Sequence, residues 1–365
     1  ATWLLRFVEE DGVSMVGGCC GTTPEHIREV VMAVGDRAPR KRNLRFVPAL
    51  SSLYSAVPVA QDASFLIIGE RTNVLGSKKF KDAFLAGDMD GMIAVGKEQV
   101  REGCHVIDVC ADQTGRDASA DLPPIVKAMV TQVPAPLCID SNSWSTFEPA
   151  LKLIGGRALV NSLNLENGEE ELVHYLQLVR SFGAAVILGT IDEDKQAGMA
   201  KTADRKVSIA RRMLDIATRR CGLRPYDIFY DPLVLPISTG QEEDRRNALE
   251  TIEGIRRIKK ELAGVYTAVG LSNVSFGLKP AARTVLNSVF LHHCREAGLD
   301  AAIVHASKII PLYKIDPKER ELAEDLVFDR RRAGYNPLLE FVNAFADKKS
   351  GAEASPTRKG TLANL

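Results

Sequence analysis

Acidic and amide side chains recur in this chain at one kind of place, the point where a short apolar run stops. The runs FLIIGE, HVIDVCAD, PLCIDS, ALVNSLN, AVILGTID, DIFYDP, YTAVGLSN and AAIVHAS carry Glu70, Asp108 with Asp112, Asp140, Asn161, Asp192, Asp231, Asn273 and His305 at or near their ends. A carboxylate offers acceptor oxygens only, and an amide offers one donor group and one acceptor. If Asp140, Asn161 and Asp231 converge, they suit a flat heterocycle with adjacent N–H donors and a carbonyl, the pattern on the 2-amino-4-oxo pyrimidine edge of a pterin. Such donors would compensate the carboxylates for hydration lost on burial, which otherwise costs several kcal/mol.

Convergence requires a scaffold, and the same runs supply it. Continuous apolar strands suit a parallel sheet buried on both faces, and the amphipathic stretches between them suit the helices that connect parallel strands. Eight such units predict an α/β fold, a (β/α)8 TIM barrel over residues 65–332, whose C-terminal strand rim is where chemistry sits. Residues 242–262 predict one of the covering helices, with Leu249, Ile252, Ile255, Ile258 and Leu262 on one face and its charges reversing sign toward the C-terminal end.

Residues 1–35 read as the tail of another αβα layer: TWLLRFVEE as helix, VSMVGG as strand, and PEHIREVVMAVG as helix, with Thr23 and Pro24 as its start signal. A piece of that size cannot bury a core of its own. Residues 36–64 read as a linker lying over the barrel, and 333–365 as a flexible tail or tether. Ala1 is not an initiator methionine, which is expected of a fragment.

The 47 basic and 47 acidic residues cancel, and there is no basic tract or aromatic ladder, so there is no electrostatic case for nucleic acid. No apolar run is long enough to span a membrane, and the first residues are too acidic for a signal peptide. Seven irregularly spaced cysteines, with Cys104, Cys110 and Cys138 in or beside predicted strands, point to reduced core thiols and a cytoplasmic location.

In this order and at these strand ends, IGERTNVLGSKKF, LCIDSN, LVNSLN, YDPLVLP and GLSNVSFG resemble the pterin-binding barrel of the cobalamin-dependent methionine synthases. The resemblance extends more distantly to methyltetrahydrofolate:corrinoid methyltransferases and dihydropteroate synthases. Upstream, VGGCCGTTPEHI resembles the end of the homocysteine-binding barrel that precedes the folate barrel in that family. The resemblance implies that Asp140, Asn161 and Asp231 hold the pterin of 5-methyltetrahydrofolate, with Glu70, Asn73 and Asp108 at the rim and Asn142 beside them. It places Asn273 next to N5, the nitrogen that bears the methyl group, and Phe276 and Arg283 beside the ring or its aminobenzoyl-glutamate tail. It makes Cys19 and Cys20 zinc ligands, with the family's third cysteine upstream of Ala1. The methyl acceptor it implies is cob(I)alamin, carried on a separate cobalamin-binding module, because the chain lacks the family's D-x-H-x-x-G motif.

A neutral amine is a poor leaving group, so N5 must gain positive character before its methyl group can leave. Asn273 can accept a hydrogen bond from protonated N5 or donate to the neutral form, but it cannot supply the proton. That proton is expected from solvent or a water chain near Asp108 or Asp112. The alternatives are a dihydropteroate-synthase-like pterin enzyme, which the resemblance disfavours because that family has lysine where GLSN has asparagine, and a non-catalytic folate-binding module. Several residues also carry plainer readings. Asn142 and Ser143 can cap the following helix, Asp192 can solvate its loop, His305 can make a structural hydrogen bond, and His292 and His293 are expected on the barrel exterior.

Overall fold

Eight parallel strands close on themselves in the computed structural model, which describes residues 1–42, 46–62, 64–346 and 348. A short antiparallel hairpin, β1 (Ala49–Ser51) and β2 (Ala56–Pro58), precedes them. The barrel strands are β3 (Leu66–Asn73), β4 (Val106–Cys110), β5 (Leu137–Asp140), β6 (Leu159–Leu163), β7 (Ala185–Gly189), β8 (Ile228–Asp231), β9 (Tyr266–Gly270) and β10 (Ala301–Val304). They pair in sequence order, and β10 closes on β3. All eight runs read from the sequence are strands, so the (β/α)8 expectation holds.

The helices are α1 (Thr2–Glu9), α2 (Pro24–Val34), α3 (Lys78–Ala86), α4 (Met89–Arg101), α5 (Ala118–Gln132), α6 (Phe147–Leu151), α7 (Glu169–Ser181), α8 (Ala203–Asp215), α9 (Asn247–Glu261), α10 (Pro280–Glu296), α11 (Pro317–Val327) and α12 (Pro337–Ala344). The helix expected over 242–262 begins at Asn247, after a separate turn at Glu242–Asp244, and buries Ile252, Ile255 and Ile258 as its periodicity requires.

The alternation of strand side chains divides the barrel into two shells. Ile67, Ile107, Val109, Ile139, Val160, Val186, Leu188, Tyr230, Val269 and Ala302 point outward into the layer shared with the helices. Leu66, Ile68, Val106, Cys138, Leu159, Ala185, Ile187, Phe229, Ala268 and Ala301 point inward and fill the lower half of the barrel as a separate apolar cluster.

Two residues of that inner cluster come from outside the eight strands. Leu50 and Val59, on and beside the hairpin, are buried among the inward residues at the N-terminal strand ends, so the hairpin plugs the lower mouth. Arg157 ties it in place, donating to the Ala49 carbonyl at 2.9 Å and to the Asp227 carboxylate, while its own N–H donates to Ser51 Oγ at 2.8 Å. Gly156 permits the approach, because a Cβ there would lie 2.1 Å from the Ser51 carbonyl oxygen. This corrects the reading of residues 36–64 as a linker throughout. Of that stretch, residues 43–45 and 63 lie outside the described residues.

Two further expectations change. VSMVGG forms no strand, since a strand needs a partner for its backbone groups and the unit Ala1–Val47 provides none among the described residues. That unit holds α1 and α2, and exposes Trp3, Met15, Val31 and Met32, as expected of a segment too small for a core. The tail expected over 333–365 begins with α12, whose Phe341 is fully buried and packs on Phe345 at 4.9 Å. Beyond α12 the described residues of the tail are 345, 346 and 348.

Candidate functional site

Moving two residues up each inward row from the apolar floor gives the next interior layer: Glu70, Asp108, Asp140, Asn161, Gly189, Asp231, Gly270 and His305. Strand register supports the level, with Asp140 opposite Asn161 and Asp231 opposite Gly189. The barrel interior therefore switches from wholly apolar to strongly acidic within one layer.

Asn73, beyond a register shift in β3, joins two of the acids. Its Nδ2 donates to Asp108 Oδ2 at 3.2 Å and to Asp140 Oδ2 at 2.9 Å, while its Oδ1 accepts from the Leu75 N–H at 2.9 Å. The amide thus holds the two carboxylates together. Asp108 is buried, and its Oδ1 has no hydrogen-bond partner. Burial pushes its pKa up to about 6, against the opposing influence of Asn73, Cys138 and Asn161. Asp140 is raised well above the usual carboxylate range by burial and then by the charges of Asp108 and Asp112. Two acids held by one amide at the floor of a pocket constitute an electrostatic demand for N–H donors.

Across the barrel, burial likewise pushes Asp231 up to about 6. Its Oδ1 accepts from the Leu233 N–H at 2.8 Å, in a loop where Leu233 has a φ of +58°. Beneath this loop lies Lys206, only 1% exposed, which donates to the carbonyls of Ala200, Pro232 and Leu233. Burial drives its pKa down to about 8, with Asp231 and Glu250 opposing the shift. The sequence reading missed Lys206, although a signal was present. It falls on the buried stripe of α8 with Ala203, Ala210 and Met213, where a lysine has to find polar partners.

The segment after β9 closes over the third part of the layer. Ser272 Oγ donates to both Glu70 oxygens, at 3.2 and 3.0 Å, so that carboxylate is engaged within the protein, and burial raises its pKa. Asn273 is exposed. Its Nδ2 lies 3.5 Å from where a Cβ at Gly270 would project, which sets the amide over the inward-facing position left open by that glycine. Arg283 stands behind the loop, with Nε donating to Ser275 Oγ and Nη2 to the Ser272 carbonyl, each at 3.2 Å. It braces the segment that carries Asn273. Phe276 is 70% exposed at the rim, and its carbonyl accepts from Ser238 Oγ at 2.6 Å.

Asp112 has both oxygens occupied, by Ser141 Oγ at 2.9 Å and the Asn142 N–H at 2.6 Å. It shapes the loop after β5, and Asp108 is left with the free oxygen. A cleft of about 420 Å³ opens above Asp140, lined by Asn142, Ser143, Trp144, Ser162, Asn164 and Tyr175 among others. Trp144 and Tyr175 meet edge to face at 5.2 Å on its wall. The structure therefore brings Asp108, Asp140, Asn73 and Asn161 together, places Asp231 in the same layer, and puts Asn142 in the adjoining cleft.

Two other strand-end residues have partners within the protein. Asp192 is paired with Arg205 at 2.7 and 2.8 Å. His305 shares a hydrogen bond at 3.1 Å with Ser307 and is pushed down to about 4 by burial and Lys308, so it stays neutral. Cys19 and Cys20 are exposed, with sulfurs 3.7 Å apart, and the hydrogen bond from the Cys20 backbone lowers the Cys19 pKa. That spacing suits one edge of a tetrahedral zinc–thiolate site with bonds of about 2.3 Å. Among the described residues no third His, Cys, Asp or Glu joins them. Cys104, Cys110, Cys138, Cys221 and Cys294 are buried and unpaired, as expected of core thiols.

The family described as pterin binding enzyme matches residues 69–305, which contain the whole polar layer. The homocysteine S-methyltransferase family matches residues 1–34. The chain is 47% identical to the methionine synthase of Mycobacterium tuberculosis (strain ATCC 25618 / H37Rv) over 365 residues, covering 99% of this chain and 30% of that protein. It is 45% identical to the methionine synthase of Mycobacterium leprae (strain TN) over 370 residues, with the same coverage of 99% and 30%. The chain thus spans about 30% of the length of these curated relatives. Among solved structures, a Xanthomonas albilineans dihydropteroate synthase in complex with indole-2-carboxylic acid and 6-chloroguanine superposes with a TM-score of 0.52 at 17% identity, covering 71% of this chain and 93% of that one. At that identity the likeness is one of fold.

Proposed function

Since the chain belongs to the pterin-binding enzyme family, we propose that it is the folate barrel of a cobalamin-dependent methionine synthase, which binds 5-methyltetrahydrofolate and gives up its N5 methyl group to cob(I)alamin on a separate module. The observation that carries this reading is the acidic layer, in which a buried Asp108 and half-buried Asp140 and Asp231 stand above an apolar floor with acceptor oxygens to offer. The pterin N–H groups supply the donors that these carboxylates lack, and the Asn161 amide faces the neighbouring acceptor and donor. The ring enters through the cleft beside Trp144, and its aminobenzoyl-glutamate tail extends outward past Phe276.

In this reading Asn273 sits at N5, held there by its own loop. Arg283 fixes that loop from behind and Ser272 fixes it to Glu70, so the amide is in position before the folate binds. Asn273 accepts a hydrogen bond from protonated N5 and so favours the charged form that can release its methyl group. Asp108, with one oxygen free, is the carboxylate that can hold or pass a proton through water, whereas Asp112 is committed to the Ser141–Asn142 turn. Cob(I)alamin supplies a strong nucleophile for the methyl carbon, and the chain contains no D-x-H-x-x-G motif to ligate it.

The 45–47% identity to methionine synthases along 99% of the chain supports the place of this barrel in methionine synthesis. The homocysteine S-methyltransferase match over 1–34 supports reading residues 1–35 as the end of a homocysteine- and zinc-binding barrel, with 36–64 joining it to the folate barrel. Cys19 and Cys20 then provide part of a zinc site whose remaining ligands come from elsewhere in the longer protein. The buried unpaired thiols suit a cytoplasmic location. Among the described residues no helix is long and apolar enough to cross a membrane.

Incubating the chain with 5-methyltetrahydrofolate and added cob(I)alamin tests the proposal. Enzyme-dependent demethylation of the folate, followed in the visible spectrum, is the expected result. Folate binding without demethylation would reduce the chain to a binding module. Condensation of a dihydropterin pyrophosphate with p-aminobenzoate would instead make it a dihydropteroate-synthase-like enzyme.

A further inference from the structure

Helix α10 carries a second cluster of chemistry, on the barrel exterior. We propose that His292, His293 and Glu296 form a binding site for a zinc-class divalent cation that clips α10 to α11. His292 Nε2 lies 3.4 Å from Glu296 Oε1, and His293 Nδ1 lies 3.1 Å from Glu296 Oε2. One ligand atom from each residue falls within 4.8 Å of the others, a grouping of three not repeated among the described residues. A tetrahedral centre with bonds of about 2.1 Å has donor separations of about 3.4 Å; each imidazole already stands near that distance from one of the two Glu296 oxygens, and a small rotation of the side chains closes the remaining gap. Two imidazoles and one carboxylate make a borderline donor set, which favours zinc, cobalt or nickel over magnesium or calcium.

Surrounding residues supply what an outer shell requires. The His293 ring is fixed edge to face on Phe328 at 4.7 Å. Its Nε2 is buried without a hydrogen-bond partner and lies 3.7 Å from Glu324 Oε1. A cation on Nδ1 forces the ring proton onto Nε2 and aims it at that carboxylate, the arrangement that orients metal-bound histidines generally. Glu324, on α11, is itself held by Arg320 Nε at 2.9 Å. The cation therefore accounts for an otherwise orphaned nitrogen and links two helices through one ring. Glu296 is exposed and leaves the remaining coordination position to water.

The decisive experiment titrates the metal-stripped full chain with zinc by calorimetry and with cobalt(II) by visible absorption, in a Cys19→Ser/Cys20→Ser background that removes the thiols. One equivalent bound, with affinity lowered at least about tenfold by Glu296→Gln and by about 10–100-fold in Glu324→Gln, supports the site. Glu296 is exposed, so its replacement leaves the fold intact, and a His292→Ala variant should lose the cobalt spectrum. Loss of all binding in the thiol-free background, or an isotherm unchanged by Glu296→Gln, would overturn the proposal.

Discussion

The lower and upper halves of the barrel interior are built on the same strands, yet they follow opposite rules. Below, Leu66, Ile68, Val106, Leu159, Ile187 and Phe229 meet the plug residues Leu50 and Val59, and the space is apolar throughout. Above, five of the eight next inward positions are acids or an amide, with one carboxylate oxygen unpartnered and pKa values driven upward by burial. The lower half gains stability from exclusion of water. The upper half gives some of that stability up to keep acceptors ready for a ligand. One fold can sustain both because a strand changes role every two residues while its outward face stays packed on helices.

This contrast can be tested from either side. The largest effect is expected at the floor, where Phe229→Ala removes a fully buried ring and should cost about 3–5 kcal/mol in chemical denaturation. A loss below about 1 kcal/mol would mean that the floor does not carry stability as described. Next comes Asn273→Ala at the mouth, which should leave the denaturation midpoint unchanged while slowing methyl transfer by about 10²–10³-fold, with a smaller change in folate affinity. Equal losses in rate and affinity would contradict its place at N5.

A gain is expected from Asp108→Asn. A buried carboxyl whose folded pKa of about 6 exceeds the ordinary 3.8 takes up a proton on folding, so its charge costs stability at pH values above both. The variant should therefore be about 1–3 kcal/mol more stable near pH 7.5 and bind folate more weakly, the stability advantage shrinking as pH falls below about 6. A destabilised variant would break the contrast between the halves. The smallest and most graded effect is the pH dependence of binding itself. Folate affinity should weaken as pH falls through about 6, by up to about tenfold per unit for each proton that must leave Asp108 or Asp231, and a flat titration would exclude ionised carboxylates as the acceptors.

The polar layer was legible because each apolar run stops at a residue that cannot stay in a dry core, and eight such stops in one chain imply a common rim. Asp140, Asn161 and Asp231 needed nothing more. Roles that depend on which way a side chain turns were out of reach. That Asn73 bridges two acids and that Arg283 braces a loop became visible only in the structure. The plug was hidden for another reason. Its two strands are three residues each, too short for alternation to rise above a proline-containing background, and only contact with the inner cluster reveals them. VSMVGG failed in the opposite direction, since apolar composition alone cannot provide a pairing partner.

The hairpin beneath the barrel has a kinetic corollary. With that end stoppered by Leu50 and Val59, the described residues leave the interior open at the upper rim, which carries Asn273, Phe276 and the cleft beside Trp144. If the proposed transfer takes place there, whatever takes a group from a guest lodged inside has to come in over that guest, and a spent guest departs only after its visitor withdraws. Turnover would then be a queue, with arrivals and departures in compulsory order.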